Sequence, residues 1–362
     1  MRILCLTKYD QLGASSRLRF MQYLPFLTSH GFKVEVRPLF GESYINAVYL
    51  NKPRAFHAVK SIFDRYCALR DIKDFDMVWI EGEIFPWLPW CFENILWPRN
   101  IPIIVDYDDA IFHNYDLHKR WPVRQLLGSK IDHVMKIATS VVVGNDYLAG
   151  RARSAGSRRI EIVPTVVDSF VYTFFPIEHT GPITVGWIGS PSTWAAYLEP
   201  LLPSIESFVG RLGARLLAIG AYIDNRSSLE FVDFEKWSED SEVSHIQRMD
   251  IGIMPLADTP WAQGKCGYKL IQYMACGLPV IASPVGVNSK IVEHGINGFL
   301  AETEEDWVRA LEILINDREL RDRMGKAGRE RVENTYSLQI QAPRLTQIFE
   351  SVAGNAPSRL YE

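Results

Sequence analysis

Short runs of apolar, often β-branched residues alternate along this chain with longer segments whose apolar positions recur every three or four residues. The first pattern is that of strands buried on both faces, the second that of helices covering them. In the first half the predicted strands are Arg2–Thr7, Lys33–Pro38, Asp76–Glu81, Ile101–Asp106 and Ser140–Gly144, with helices over Arg17–His30 and Ala55–Ile72. An aromatic, weakly periodic stretch, Ser169–Pro182, interrupts the alternation. It restarts with strands at Ile183–Gly189, Ala214–Ile219, Ile251–Pro255 and Pro279–Ala282, and helices over Ala195–Val209 and Cys266–Ala275. The pattern predicts an α/β chain of two Rossmann-like domains, residues 1–170 and 183–335. A helical tail follows from Glu304, and its last segment, 337–353, opening after a Ser337 N-cap, is expected to pack back on the first domain.

Composition agrees with this division. At 362 residues the chain exceeds what one hydrophobic core usually serves, and 47% hydrophobic residues supply material for two. The net charge is -4 with acids and bases interspersed, so nothing advertises a nucleic-acid partner. Cys5, Cys67, Cys91, Cys266 and Cys276 show neither CxxC spacing nor paired clusters, which argues for reduced thiols in a cytoplasmic setting. The start MRILCLTKYD lacks the long apolar region of a secretory signal, and the richest apolar stretch, Ile84–Trp97, is broken by Pro86, Pro89, Glu93 and Asn94. The expectation is a cytoplasmic protein whose contact with a membrane, if any, is peripheral.

The densest chemistry lies between Gly264 and Ala301. Gly264 and Gly267 bracket the start of a helix whose N–H groups and positive dipole end suit an anion, and Lys265 and Lys269 add charge beside it. Read in isolation, the same residues are a solvated helix face with turn glycines. Leu270, Ile271 and Met274 have core spacing. In the first half, Gly13-Ala14-Ser15-Ser16-Arg17 enters a helix after the first strand. It lacks the GxGxxG register, and the second strand ends Val36-Arg37-Pro38 without an acid, so a dinucleotide site is disfavoured. Arg17 and Arg19 are candidates to hold a phosphate or an acidic acceptor, or are simply solvated.

The strand end IPIIVDYDD presents Asp106, Asp108 and Asp109 together, which is costly unless cations, sugar hydroxyls or solvent satisfy them. One of them is expected to cap the next helix. Three aspartates also suit a divalent cation, the lesser alternative here. Glu81 and Glu83 follow the third strand as candidates for acceptor hydroxyls or general base work.

Met274-Ala275-Cys276-Gly277-Leu278-Pro279-Val280-Ile281-Ala282-Ser283, with the glycine loop after it and Asn297-Gly298, resembles the donor-binding core of the GT-B retaining glycosyltransferases, group 1 or family 4. Ile162–Asp168 resembles the segment that closes the family's first domain, with Thr165 and Val166 at its Asn-Gly. The resemblance implies two Rossmann-like domains facing each other across a cleft, with a nucleotide-diphosphate sugar on the second, the acceptor on the first, and neither cofactor nor metal. It assigns donor contacts to Gly189, Ser190, Lys265, Cys266, Gly267, Lys269 and Gln272. Catalysis falls to Asp108, Asp109 and the Gly13 loop, and acceptor contacts to Ser15, Arg17, Glu81 and Glu83.

This sequence departs from the family pattern in several places. The paired glutamates fall at Gly264 and Gln272, a loop glutamate at Lys290, and the Arg and Lys expected after the Gly189 strand are absent. Ser190, Ser192, Thr193, Lys265 and Lys269 would then redistribute the phosphate contacts. Asp108-Asp109 stands at the family's His-Asp pair, as in a variant group with an acidic run.

The implied activity is sugar transfer to a glycan or polyprenyl-linked acceptor in cell-surface polysaccharide synthesis, with retention. A sugar-nucleotide epimerase and a degenerate, non-catalytic nucleotide-binding partner are the rivals. The aromatic density of Ile84–Trp90 and Trp97, with Lys52, Arg54, Lys60 and Arg65 upstream, suits a membrane headgroup region or a lipid-linked glycan, and equally the core of one helix pair.

Overall fold

Strands β1 (Arg2–Leu6), β2 (Lys33–Val36), β3 (Met77–Glu81), β4 (Ile103–Tyr107), β5 (Ser140–Val143) and β6 (Ile160–Ile162) form one sheet in the order β2-β1-β3-β4-β5-β6. Strands β7 (Thr184–Ile188), β8 (Arg215–Ile219), β9 (Val232–Glu235), β10 (Ile251–Met254), β11 (Val280–Ala282) and β12 (Gly298–Leu300) form a second, ordered β12-β11-β10-β7-β8-β9. Every ladder in both sheets is parallel. The computed structural model describes residues 1–41, 44, 55–174, 181–210, 212–221 and 229–354; Lys52, Arg54 and the middle of the Ser169–Pro182 stretch lie outside them.

Parallel strands covered by helices on both faces must be apolar along their whole length. The side chains of β4 and β5 are accordingly buried throughout, including the polar Asp106 and Ser140. The order reverses between β1 and β3 in the first sheet and between β7 and β10 in the second. In doubly wound sheets these switch points, at the carboxyl ends of the strands, are where ligands bind.

The chain divides into two compact units, Met1–Thr165 with Gln341–Glu362, and Val166–Ile340. The passage falls ahead of the aromatic stretch, because the residues after Thr165 are already tied to the second unit. Val167 N donates to Tyr336 O at 3.1 Å, Ser169 Oγ to Gln339 Oε1 at 2.8 Å, and Tyr172 is buried among Ile188, Ile246 and Met274. The final helix, Leu338–Gly354, returns to the first unit. Its Phe349 meets Trp79 of β3 edge-on at 5.0 Å and Phe32 at 6.2 Å, while Phe20 covers Trp79 at 4.3 Å. Ser337 precedes this helix, but its hydroxyl donates backward to Glu333 O at 3.0 Å.

In the second unit one face of the sheet packs Trp187, Trp194 and Leu198 against Trp307, Leu311 and Leu314. The other packs Ile188 and Leu217 against Leu270, Ile271 and Met274, which therefore serve the core. The β7–β10 ladder is short, pairing only Ile251 with Val185 and Gly252 with Gly186, whereas β7 and β8 pair along five positions. Beyond it Ile188 N would be buried without a partner, and Tyr273 Oη accepts its hydrogen bond at 2.9 Å.

Two sequence-predicted helices are broken. Arg17–His30 becomes Ala14–Arg19 and Leu24–Ser29, interrupted ahead of Pro25, and Ala195–Val209 becomes a π-helical turn at Trp194–Leu198 before Leu202–Val209. Strands β6, β9 and β12 carry no clear sequence signal. All three are edge strands, short and only partly buried. Among the described residues no helix is long and apolar enough to cross a membrane.

Phe349→Ala removes a fully buried ring from the junction with Trp79, and urea denaturation should show a loss of about 3–5 kcal/mol. Tyr273→Phe keeps the packing but leaves Ile188 N unpaired; the same measurement should register about 1–3 kcal/mol.

Candidate functional site

In the first unit the switch point is organised by a carboxylate. Past Leu6 the chain leaves the β1–β3 ladder, and Lys8 N donates to Glu81 Oε2 at 2.7 Å, taking from a side chain the partner that the strand no longer supplies. Ser16 Oγ donates to the same oxygen at 2.6 Å and itself accepts from Tyr9 N at 3.0 Å. Burial pushes the Glu81 carboxyl up to about 7 against the pull of these donors, with Asp108 adding in the same direction. Gly13 stands just before the helix Ala14–Arg19, where a Cβ would overlap Tyr9 Cβ, so its glycine identity is explained by the folding of this loop.

Ser15 Oγ donates to Asp108 Oδ2 at 2.6 Å, joining the Gly13 loop to the end of β4. Asp108 and Asp109 are half-buried. Of the three aspartates, Asp106 has found its cation. Arg19 Nε lies 2.8 Å from Asp106 Oδ1, both side chains are 2% exposed, and Arg19 Nη1 donates to Val163 O at 2.7 Å. Burial pushes the Asp106 carboxyl up and Arg19 pulls it back. Arg19 is thus a structural cation rather than a phosphate contact.

Arg17 is 8% exposed and directs Nη1 to Gln11 O at 3.4 Å, which places it in the loop rather than on open surface. Glu83 stands apart from Glu81: Tyr115 Oη donates to its Oε1 at 2.6 Å and Lys130 Nζ lies 2.5 Å from its Oε2. Both oxygens are held by protein groups. Among the described residues no three His, Cys, Asp or Glu side chains are placed to share a metal ion.

In the second unit the corresponding position is organised by an amine. The eight-residue helix Tyr268–Ala275 begins on Gly267, whose φ of 66° is the left-handed conformation that favours glycine; a Cβ there would also strike Ile291. In its first turn, Lys269 Nζ sits 4.4 Å over the Trp187 ring, against Gly189 at the end of β7. A Cβ on Gly189 would come within 2.7 Å of that amine and closer still to the indole, so glycine is what admits the lysine. Burial, with Lys265 beside it, brings the Lys269 amine down to about 7.

Ser190 caps the next turn, its Oγ accepting from Thr193 N at 3.4 Å while its own N donates to Thr193 Oγ1 at 3.0 Å. Lys269 thus meets Gly189 at the β7 carboxyl end, where Ser190 follows, and Lys265 is near enough to act on its charge. Cys266, between Lys265 and Gly267 in sequence, is buried.

Gln272 does not join this group. It is 2% exposed, and its Nε2 donates to Tyr172 Oη at 2.9 Å. Tyr172 in turn donates to Glu242 Oε1, and Trp237 Nε1 donates to Glu242 Oε2 at 2.6 Å. Sequence reasoning did not find Tyr172, Trp237 or Glu242. Glu242 lies in the acidic run Ser238–Glu242 that reads as a solvated face, and only the fold turns it inward.

The Glu81 carboxyl supplies a test of this geometry. Because its folded value is raised from 4.5 to about 7, its contribution to stability is full below 4.5 and is lost as pH rises to 7. Glu81→Gln keeps an acceptor for Lys8 N and Ser16 and removes the titration. Calorimetry across that range should show the wild-type melting temperature falling relative to the variant as pH rises.

Residues 221–331 match the family model described as Glycosyl transferases group 1. Spore coat protein SA of Bacillus subtilis (strain 168) is 32% identical over 80 residues, 21% of this chain and 21% of that protein. The capsular polysaccharide biosynthesis glycosyltransferase CapM of Staphylococcus aureus is 28% identical over 162 residues, 42% of each chain. The matched stretch is thus under half the length of either relative. Among solved structures, sucrose-phosphate synthase from Thermosynechococcus elongatus superposes with a TM-score of 0.74 at 15% identity, over 98% of this chain and 99% of that one. Anabaena HepE in complex with UDP gives 0.67 at 14% identity, over 97% and 100%. At such identity the likeness is one of fold, and it extends over both units. The chain has the GT-B fold, and residues 221–331 in its second half are similar to the group 1 glycosyl transferases.

Proposed function

We propose that this chain is a cytoplasmic glycosyltransferase that moves a sugar from a nucleotide diphosphate to a glycan or polyprenyl-linked acceptor in polysaccharide synthesis, with retention and without a metal. The observation that carries the reading is Lys269, an amine set over Trp187 at the β7 switch point beside Gly189 and in the first turn of the helix that starts on Gly267. Donors fixed where charge develops stabilise a departing anion without reorganising. As the bond from the anomeric carbon to the diphosphate oxygen breaks, negative charge grows on that oxygen, and Lys269 with the backbone N–H groups after Gly189 and Gly267 meets it. The acceptor oxygen bonds to the same face of the carbon and passes its proton to the departing phosphate. On the first unit, Glu81, Asp108 and Ser15 are the acceptor-facing groups.

HepE, by its description, binds UDP, and CapM acts in capsular polysaccharide biosynthesis. Both support starting with UDP-sugars and a lipid-linked acceptor. The Gln272 bond to Tyr172 means that a ribose contact at this position requires the pair to part, or falls to other groups.

The test is nucleotide release from UDP-, GDP-, ADP- and dTDP-sugars by purified protein, with and without lipid extract, in EDTA. Release that requires extract and survives EDTA is expected. Altered free sugar without an acceptor would identify an epimerase, and nucleotide binding with no turnover a degenerate partner. Lys269→Met should lower kcat/KM by about 100–1000-fold. A diphosphate raises the lowered Lys269 value on binding, so nucleotide affinity should fall as pH rises above 7, and calorimetric titration should find that slope missing in the variant.

A further inference from the structure

The segment that follows β3 is fixed from below by a buried lysine. Lys130 Nζ lies 2.5 Å from Glu83 Oε2 and 2.9 Å from Glu93 Oε2, and it donates to Phe85 O. Glu93, fully buried, also accepts from Ile84 N at 3.1 Å. Buried charges persist only when their partners satisfy them, and here those partners immobilise the backbone of residues 83–85.

What this fixed segment displays is Trp87. Its φ is 66°, a conformation rare for a bulky L residue, and it is 55% exposed. Tyr115 holds it there, with its Oη accepting from Trp87 N at 3.1 Å and its ring meeting the indole edge-on at 5.1 Å. Core packing explains neither the strain nor the exposure. Strain maintained by its surroundings is characteristic of contact sites.

Trp87 adjoins a second exposed stretch. Its ring lies 5.8 Å from His118, next to Leu117, which is 56% exposed. Arg124 Nη1 donates to the carbonyls of His118 and Lys119 at 2.6 and 3.1 Å, tying in the helix Trp121–Leu127. That helix leaves Trp121 63% exposed and buries only Leu127. From Leu117 to Ile131 there is no Asp or Glu, while Lys119, Arg120 and Arg124 are exposed, in a chain of net charge -4.

We propose that this face seats the chain on a bilayer bearing anionic headgroups. Trp87, Leu117 and Trp121 enter the interfacial layer, where the amphipathic indole is favoured, and Lys119, Arg120 and Arg124 meet the phosphates. Charge complementarity selects this occupant: the surface combines aromatic and basic groups with no exposed acid among residues 117–131. The face also belongs to the end of the first sheet that carries Glu81 and Asp108, since the Trp87 loop leaves the carboxyl end of β3 and the Leu117 stretch follows β4. A lipid-linked acceptor would thus reach those groups from the seated side. Only this last step rests on the proposed transferase activity.

The experiment is flotation of the full chain with phosphatidylcholine vesicles, with and without phosphatidylglycerol. The chain should float with the anionic vesicles, and Lys119→Ala with Arg120→Ala should reduce that partitioning by about 30-fold at low salt, a difference that added salt erodes. Trp121→Ser and Trp87→Asn, the latter chosen because Asn tolerates the left-handed backbone, should weaken binding to both vesicle types with the melting temperature retained. A chain that stays unbound with anionic vesicles, or variants that float like the wild type, would overturn the proposal. So would Trp121-dependent self-association in sedimentation velocity, which assigns the face to a second copy. Nucleotide release with detergent-dispersed lipid extract reads transferase activity separately, so flotation without release refutes that reading alone.

Discussion

Where the strand order of a parallel sheet reverses, two neighbouring strands part, and the backbone N–H beyond the last ladder bond must find another partner or stay buried and unsatisfied. Both halves of this chain meet that requirement with a side chain. In the first, Glu81 accepts from Lys8 N; in the second, Tyr273 accepts from Ile188 N. Each substitute partner allows the strands to separate without a lost hydrogen bond. The two choices differ in consequence. A phenol is neutral and simply completes the core, whereas a carboxylate brings charge, recruits Ser16, and makes the first site responsive to pH near neutrality.

Charge in the rest of the molecule follows the same logic of compulsory pairing. Asp106 in the middle of a buried strand is tolerated because Arg19 reaches it from the helix after β1, and that pair leaves Asp108 to Ser15. Lys269 is held differently. It faces an indole instead of a carboxylate, so burial lowers its proton affinity, and the proposed diphosphate contact would restore it.

Much of this was legible in the residues themselves. The α/β alternation, the buried strands and the core role of Leu270, Ile271 and Met274 follow from periodicity and local chemistry. The resemblance carried by Met274–Ser283 pointed to the fold that the structural likenesses show. What sequence could not give were partnerships made across long separations. Arg19 and Asp106 are remote in the chain, as are Gln272 and Tyr172, and nothing local distinguishes a glutamine aimed at a ribose from one donating to a buried phenol. Glu83 illustrates the same limit, since its fate depends on Lys130, a residue that reads as surface in any local window.

The return of the final helix to the first unit gives the chain an order of events during synthesis. The first sheet emerges from the ribosome early, yet Trp79 and Phe32 wait for Phe349, which is translated after the whole second unit. The second unit is contiguous and can close as it emerges, while the first remains without its last helix until then. A nascent chain therefore holds Trp79 against Phe20 but without Phe349 until the second unit has been made.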